Sequence, residues 1–306
     1  MTFTEVWDAF LRRDRRALAR LLTWIARGES IAAIQRELKH LPSIPNQNRV
    51  IAFTGSGGVG KSTLVGKMIA NFRKAGHTVA VLACDPESPL TGGALLGDRL
   101  RMPNYPEDDG VYVRSLATPS GHEAVPDQLD LMVQLLHQFG FQQVLIETVG
   151  AGQGDTAVRQ RADVLVVLVQ PEAGDDIQWE KAGLLEVADL VVVHKADLPG
   201  ADRTEAQVKT LLNLPGCRTI PVLRVSSAKN TGLDELRESI LSQPSRRGIR
   251  LRNANTLLRL AQAAWLDELH ASPELWKPIL EHWQQGKLND NEAAQQMLNL
   301  PRTAVS

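Results

Sequence analysis

The octapeptide Gly55-Ser56-Gly57-Gly58-Val59-Gly60-Lys61-Ser62 constrains this chain more than any other segment. It fits the spacing GxxxxGK[ST] at every fixed position, and it stands between a β-branched run, Val50–Thr54, and a helical stretch, Thr63–Lys74. A strand, a glycine-rich loop and a helix in that order can wrap a chain of phosphates. The glycines let backbone N–H groups converge with no Cβ in the way, and the helix N-terminus adds the positive end of its dipole. From such a loop Lys61 reaches the β- and γ-phosphate oxygens and the Ser62 hydroxyl ligates Mg²⁺. Gly55 through Thr63 are therefore the candidate phosphate contacts of a nucleoside-triphosphate site.

The rest of the chain supplies a scaffold for that loop. Short apolar runs at Val50–Thr54, Thr78–Ala83, Val111–Ser115, Val144–Ile146, Val164–Val169, Leu190–Val193 and Ile220–Val225 alternate with amphipathic helices. Runs that are apolar on both faces suit a parallel sheet covered on each side. The pattern predicts an α/β fold, a P-loop domain with a mostly parallel, doubly wound sheet of about seven strands. Residues 3–40 instead follow a helical period through Val6, Phe10, Leu18, Leu21, Leu22 and Ile25, with Ser30 as a candidate cap for a second helix at 31–40. After Pro244 an arginine run, Arg246 to Arg252, leads into a helical tail carrying Trp265, Trp276 and Trp283. The expected division is a helical segment at 1–45, a nucleotide-binding domain at 46–243 and a helical segment at 244–306.

Charge and cysteine content narrow the partners. The 34 basic and 35 acidic residues balance to −1, which argues against nucleic acid or a membrane surface as a partner. No apolar run approaches the roughly 20 residues needed to span a bilayer, and no secretory leader is visible. Cys84 and Cys217 lie outside any metal spacing and read as reduced core residues. A cytoplasmic protein is expected.

Further residues fall where such a site needs them. Asp85 ends the second apolar run, at the strand edge that faces the ligand crevice of a doubly wound sheet, and Thr91–Arg99 is a glycine-rich stretch bringing Asp98 into reach. Each of these carboxylates reads equally well as a surface residue when taken alone. Glu147 follows Val144-Leu145-Ile146 at the place of a metal-holding carboxylate, and Gly150 can turn its N–H toward a γ-phosphate. The segment His194-Lys195-Ala196-Asp197 closes another strand and comes close to NKxD. In that signature the carboxylate accepts from guanine N1 and N2, a donor pair adenine lacks, while the lysine stem packs on the base. With His194 in the first position, an imidazole N–H can go either to guanine N7 or to the P-loop backbone. Ser226-Ser227-Ala228 follows the next strand, where a backbone N–H meets guanine O6.

Together these strings resemble the MeaB/ArgK-type branch of the P-loop GTPases, the chaperones of adenosylcobalamin-dependent methylmalonyl-CoA mutase that include the methylmalonic aciduria type A protein. The resemblance begins at Phe10–Arg20, similar to the family's GDRRALAR helix, and continues through Asp85–Met102, close to DPSSPxTGGSILGDKTRM. Glu147–Gln153 matches ETVGVGQ, and Gly174–Gln178 with Lys181 resembles GDDLQGIK, a third loop peculiar to this group. The resemblance implies Mg²⁺-dependent GTP hydrolysis, with Ser62, Asp85 and Glu147 around the metal and Asp98 in the first switch. It also implies slow turnover raised by a mutase partner, control of cofactor loading by nucleotide state, and a homodimer built with the C-terminal helices. Gln153 has the chemical type to orient the attacking water, and Lys181 can add positive charge if a partner reorders its loop. The chain departs from the family at Gly154-Asp155, Trp179-Glu180, Gly121–Val125 and His194. A GTP-dependent metallochaperone of the nickel or cobalt insertion type is the alternative, as is a divergent paralogue with another client; the scattered histidines and isolated cysteines speak against metal insertion.

Overall fold

The computed structural model describes residues 2–86, 108–118, 128–148, 158–171, 185, 187–213, 220–244, 261, 265, 269 and 272–300, with the side chains of 85, 86, 117 and 118 outside the description. The chain divides into two compact units, Met1–Gly248 and Ile249–Ser306.

The first unit is built on a sheet of seven strands: β1 (Arg49–Gly55), β2 (Val79–Pro86), β3 (Val111–Thr118), β4 (Gln143–Glu147), β5 (Val164–Val169), β6 (Leu190–His194) and β7 (Val222–Val225). Their order across the sheet is β3-β2-β4-β1-β5-β6-β7, and every pairing is parallel. The seven predicted runs are the seven strands. β1 lies centrally, paired with β4 on one side and β5 on the other, so the order reverses beside it. Ligands of doubly wound sheets bind at the carboxyl ends of strands at such a reversal.

Alternate strand residues face opposite layers, as a period of two requires. Ala52, Leu82, Val144, Ile146, Leu165 and Val193 belong to one buried layer with residues of α1 (Phe3–Leu11), α2 (Arg15–Ala26), α3 (Ile31–Leu38), α5 (Leu129–Phe139) and α6 (Ala201–Leu212). Ile51, Phe53, Val81, Leu145, Val166 and Val192 bury against α4 (Lys61–Lys74) and α7 (Leu233–Ser242). Helix α6 (Ala201–Leu212) follows β6. Near-continuous burial of β1, β4, β5 and β6 is the pattern of a parallel sheet covered on both faces. Among the described residues no helix is long and apolar enough to cross a membrane. Cys84 is buried and not in a disulfide, while Cys217 lies outside the described residues.

The helical prefix departs from its sequence reading. The expected first helix is two, because Arg13 takes a positive φ of 66° and Asp14 restarts the chain as an N-cap. The Asp14 carboxylate accepts from the N–H groups of Arg16 and Ala17, and those bonds hold its pKa below the ordinary carboxylate value. Ser30 does not cap α3 with its side chain: it sits in the left-handed region with φ 56°, where its hydroxyl makes no capping bond. An oxygen that caps from an extended backbone is misdirected from that conformation.

In the second unit, α8 (Pro273–Gln284) and α9 (Asp290–Leu298) form the described helices. A capping box closes the start of α9, where the Asn289 side chain and Glu292 exchange backbone bonds. Trp276 donates its indole N–H to the Leu269 carbonyl at 2.9 Å, and Trp283 donates to Asp290 at 2.9 Å. Trp265 is half-buried.

Candidate nucleotide site

The phosphate loop leaves β1 at Gly55 and enters α4 at Lys61. Two of its glycines are required by their surroundings. A Cβ on Gly55, whose φ is 147°, would lie 2.5 Å from the Leu168 carbonyl oxygen of β5. A Cβ on Gly60, whose φ is 97°, would lie 2.6 Å from Cε1 of His194. The loop is therefore closely packed against β5 and the end of β6, which fixes its curvature. Val59 is buried beneath it, and Leu64 N–H closes the first helical bond onto the Gly60 carbonyl at 2.9 Å. The Lys61 ammonium donates to the carbonyls of Gly55 at 2.9 Å and Ser56 at 3.2 Å, so the charge is held on the loop itself.

Ser62, in the first turn of α4, donates its hydroxyl to Glu147 Oε1 at 2.5 Å. Glu147 ends β4 opposite Phe53 of β1, which places the carboxylate beside the loop although 85 residues separate the pair. A hydroxyl and a buried carboxylate together are hard oxygen donors of the kind Mg²⁺ takes, with phosphate oxygens completing its shell. Among the described residues no three or more His, Cys, Asp or Glu side chains gather as a metal cage. Mg²⁺ needs no such cage, because it keeps waters and phosphate oxygens as ligands. Thr148 then bonds Thr54 through the two hydroxyls at 3.0 Å and donates its N–H to the Phe53 carbonyl, anchoring the start of the segment after β4. The sequence reading did not single out this pair.

The segment after β6 meets the same loop from the other side. The His194 ring is 2% exposed; its Nδ1 lies 2.7 Å from the Val59 carbonyl and its Nε2 lies 2.8 Å from the Ser227 hydroxyl. A carbonyl can only accept, so Nδ1 carries the proton and Nε2 accepts from Ser227. Lys195, with φ 56°, donates to the Gly58 carbonyl at 3.0 Å and to Gln170 Oε1 at 2.9 Å. The base segment is thus tied to two consecutive carbonyls of the phosphate loop. Of the two partners open to the His194 imidazole, the P-loop backbone is the one it takes.

The pair after β7 completes the arrangement. Ser226 donates its hydroxyl to the Asp197 carboxylate and accepts from the Lys229 N–H, while Ser227 serves His194. Ser226 and Ser227 are buried, whereas Asp197 and Ala228 are exposed. The Ser226 hydroxyl first, and the Asp197 backbone N–H second, hold the Asp197 carboxylate below its ordinary pKa. Asp197 is therefore ionised at neutral pH, with one carboxylate oxygen held by Ser226. Gln170, absent from the sequence reading, follows β5 at a strand's carboxyl end, and that position was the signal that could have found it. The Asp85 side chain and Asp98, Gly150, Gln153 and Lys181 lie outside the described residues.

Burial, aided by the Lys195 ammonium, pushes the His194 pKa below its ordinary 6.5, against the opposing pull of the Val59 carbonyl and Asp197. The unfolded chain then binds a proton that the folded chain resists, so His194 makes the fold less stable as pH falls below about 6.5. The advantage of wild type over His194→Asn in thermal unfolding is expected to shrink from pH 8 to pH 5.5. Asp197 stays ionised across that window. An advantage independent of pH would mean that the imidazole titrates normally in the fold.

A glycine-rich phosphate loop, a hydroxyl–carboxylate pair at its helix, and a buttressed acidic residue beside it define a P-loop nucleoside-triphosphate hydrolase. The profile of the family described as Methylmalonyl Co-A mutase-associated GTPase MeaB matches residues 18–269. The chain belongs to this MeaB family of GTPases. It is 37% identical over 243 residues to a protein of Pyrococcus abyssi carried under the name of a GTPase, covering 77% of this chain and 74% of that one. It is 35% identical over 219 residues to the fused isobutyryl-CoA mutase of Geobacillus kaustophilus, a match covering 68% of this chain and 20% of the mutase. Among solved structures, one titled LAO/AO transport system kinase superposes with a TM-score of 0.62 at 20% identity, covering 96% of each chain, and shares the fold.

Proposed function

We propose that this protein is a Mg²⁺-dependent GTPase that serves as a chaperone of an adenosylcobalamin-dependent acyl-CoA mutase, its nucleotide state gating cofactor loading and protection. The observation that carries the hydrolase reading is the Ser62–Glu147 pair beside Lys61 at one phosphate loop. The mutase reading is supported by family membership and by a relative that carries a homologous segment in one chain with a mutase. Fusion places two activities at high effective concentration, the arrangement that separate chains achieve by docking.

Ser62 and Glu147, with Asp85, would hold Mg²⁺, which supplies neutralisation of charge on the β- and γ-phosphate oxygens. The loop N–H groups and the α4 N-terminus bind the phosphates, and Lys61 turns from the carbonyls of Gly55 and Ser56 to the γ-phosphate as charge develops there. Asp197 selects guanine by accepting from N1 and N2. Asp98, Gly150, Gln153 and Lys181 belong to the same proposal, as switch, γ-phosphate, water-orienting and partner-dependent groups. So do a homodimer built with residues 244–306 and a cytoplasmic location.

The test is hydrolysis of GTP and ATP side by side, with Mg²⁺ and with EDTA, alone and with a methylmalonyl- or isobutyryl-CoA mutase. Mg²⁺-dependent, GTP-selective turnover that rises with mutase is the expected result. GTP turnover indifferent to both mutases would sink the chaperone role and leave the hydrolase.

A further inference from the structure

We infer that His194 is a positioning residue that joins the base segment to the phosphate loop, and that the site consequently takes its guanine nucleotide without a side-chain contact to N7. The inference rests on the guanine reading of this site and goes beyond it by naming which edge of the base goes unread.

The argument is one of donor supply. Guanine N7 is an acceptor, so a side chain that reads it must present a donor. A neutral imidazole has a single N–H. In His194 that N–H is at Nδ1 and is spent on the Val59 carbonyl at 2.7 Å. The remaining nitrogen, Nε2, offers a lone pair, and Ser227 fills it at 2.8 Å. Both polar atoms of the ring are therefore committed within the protein, and the ring is 2% exposed. The Lys195 ammonium is drawn to the phosphate loop, with two of its three N–H donors on the Gly58 carbonyl and Gln170. The ring lies close against the Gly60 backbone, where an added Cβ would come within 2.6 Å of its Cε1.

What the ring does instead is mechanical. β6 ends at His194 and pairs with β7, whose next residues include Ser227, so one imidazole spans β7, β6 and the phosphate loop. The Ser227 hydroxyl keeps Nε2 as acceptor and thereby keeps the Nδ1 proton on the loop. Loss of that hydroxyl leaves a buried acceptor without its donor and loosens the joint, not the base contacts. Base selection is left to Asp197, held by Ser226.

The experiment is equilibrium binding of GDP, 7-deaza-GDP and ADP to the full chain, wild type and Ser227→Ala. For wild type, GDP and 7-deaza-GDP are expected to bind within about threefold of each other, less than the loss of one well-made hydrogen bond. Ser227→Ala is expected to weaken both by roughly threefold or more while their ratio stays unmoved. A larger 7-deaza penalty in wild type, with GDP still tighter than ADP, overturns the unread N7 and leaves the guanine site standing. An unchanged GDP affinity in Ser227→Ala overturns the positioning role. GDP binding no tighter than ADP overturns the guanine reading itself and the inference with it.

Discussion

Lys61→Ala is expected to lower the GTP turnover number by about a hundredfold or more, the scale on which single groups that stabilise developing charge act. Lys61 is 8% exposed and its ammonium is bonded to the carbonyls of Gly55 and Ser56, which keeps the charge on the phosphate loop itself. The truncation also takes the donor from the Gly55 and Ser56 carbonyls, so the melting temperature without nucleotide is expected to fall by a few degrees, with the protein still folded at the assay temperature. Those two readouts together separate chemistry from folding. A variant that melts early and turns over slowly in proportion would make Lys61 a packing residue. Lys61→Arg is expected to behave like the alanine variant, because a rigid planar fork does not fit where a flexible stem carries a compact charge.

Asp197→Asn is expected to cost about a thousandfold in kcat/KM for GTP and to raise activity toward xanthosine triphosphate. On the proposed reading the carboxylate accepts from both N1–H and the N2 amine of guanine, whereas a carboxamide presents one acceptor and one donor. Xanthine carries a carbonyl where guanine carries the amine, so acceptor and donor then meet their complements. The Ser226 hydroxyl keeps an oxygen to bond in either variant, which holds the side chain in place. Steady-state kinetics with GTP, ATP and xanthosine triphosphate checks this. A GTP-to-ATP ratio unchanged by the substitution would remove Asp197 from base selection. The His194–Asp197 segment holds no second carboxylate, so no neighbouring side chain of that segment can take over as acceptor for both donors.

Much of this architecture was legible before any coordinates. The β-branched runs from Val50 to Val225 became seven parallel strands, and the inner ones were legible because a strand buried on both faces has no polar side to present. The loop Gly55–Ser62 was legible because its glycines and lysine obey a spacing set by local backbone geometry alone. Boundaries were less so: one periodic stretch became α1 and α2 through a left-handed Arg13, and Ser30 lost its capping role to the same kind of conformation. Periodicity registers which face is apolar and carries no information on a single residue's φ.

Sequence by itself determined the fold class, the phosphate loop and the placing of Glu147 and His194–Asp197 at strand ends, all of which follow from local spacing and composition. Only the tertiary structure decided what those residues do to one another. Ser62 met Glu147, Lys195 met Gln170, and His194 met both Val59 and Ser227, across separations that no local pattern encodes. An imidazole has two nitrogens and one proton, and which partners claim them depends on the packing of β6, β7 and the loop against each other. That is why the same histidine reads from sequence as a ligand for either the base or the backbone, and in the fold belongs to the backbone.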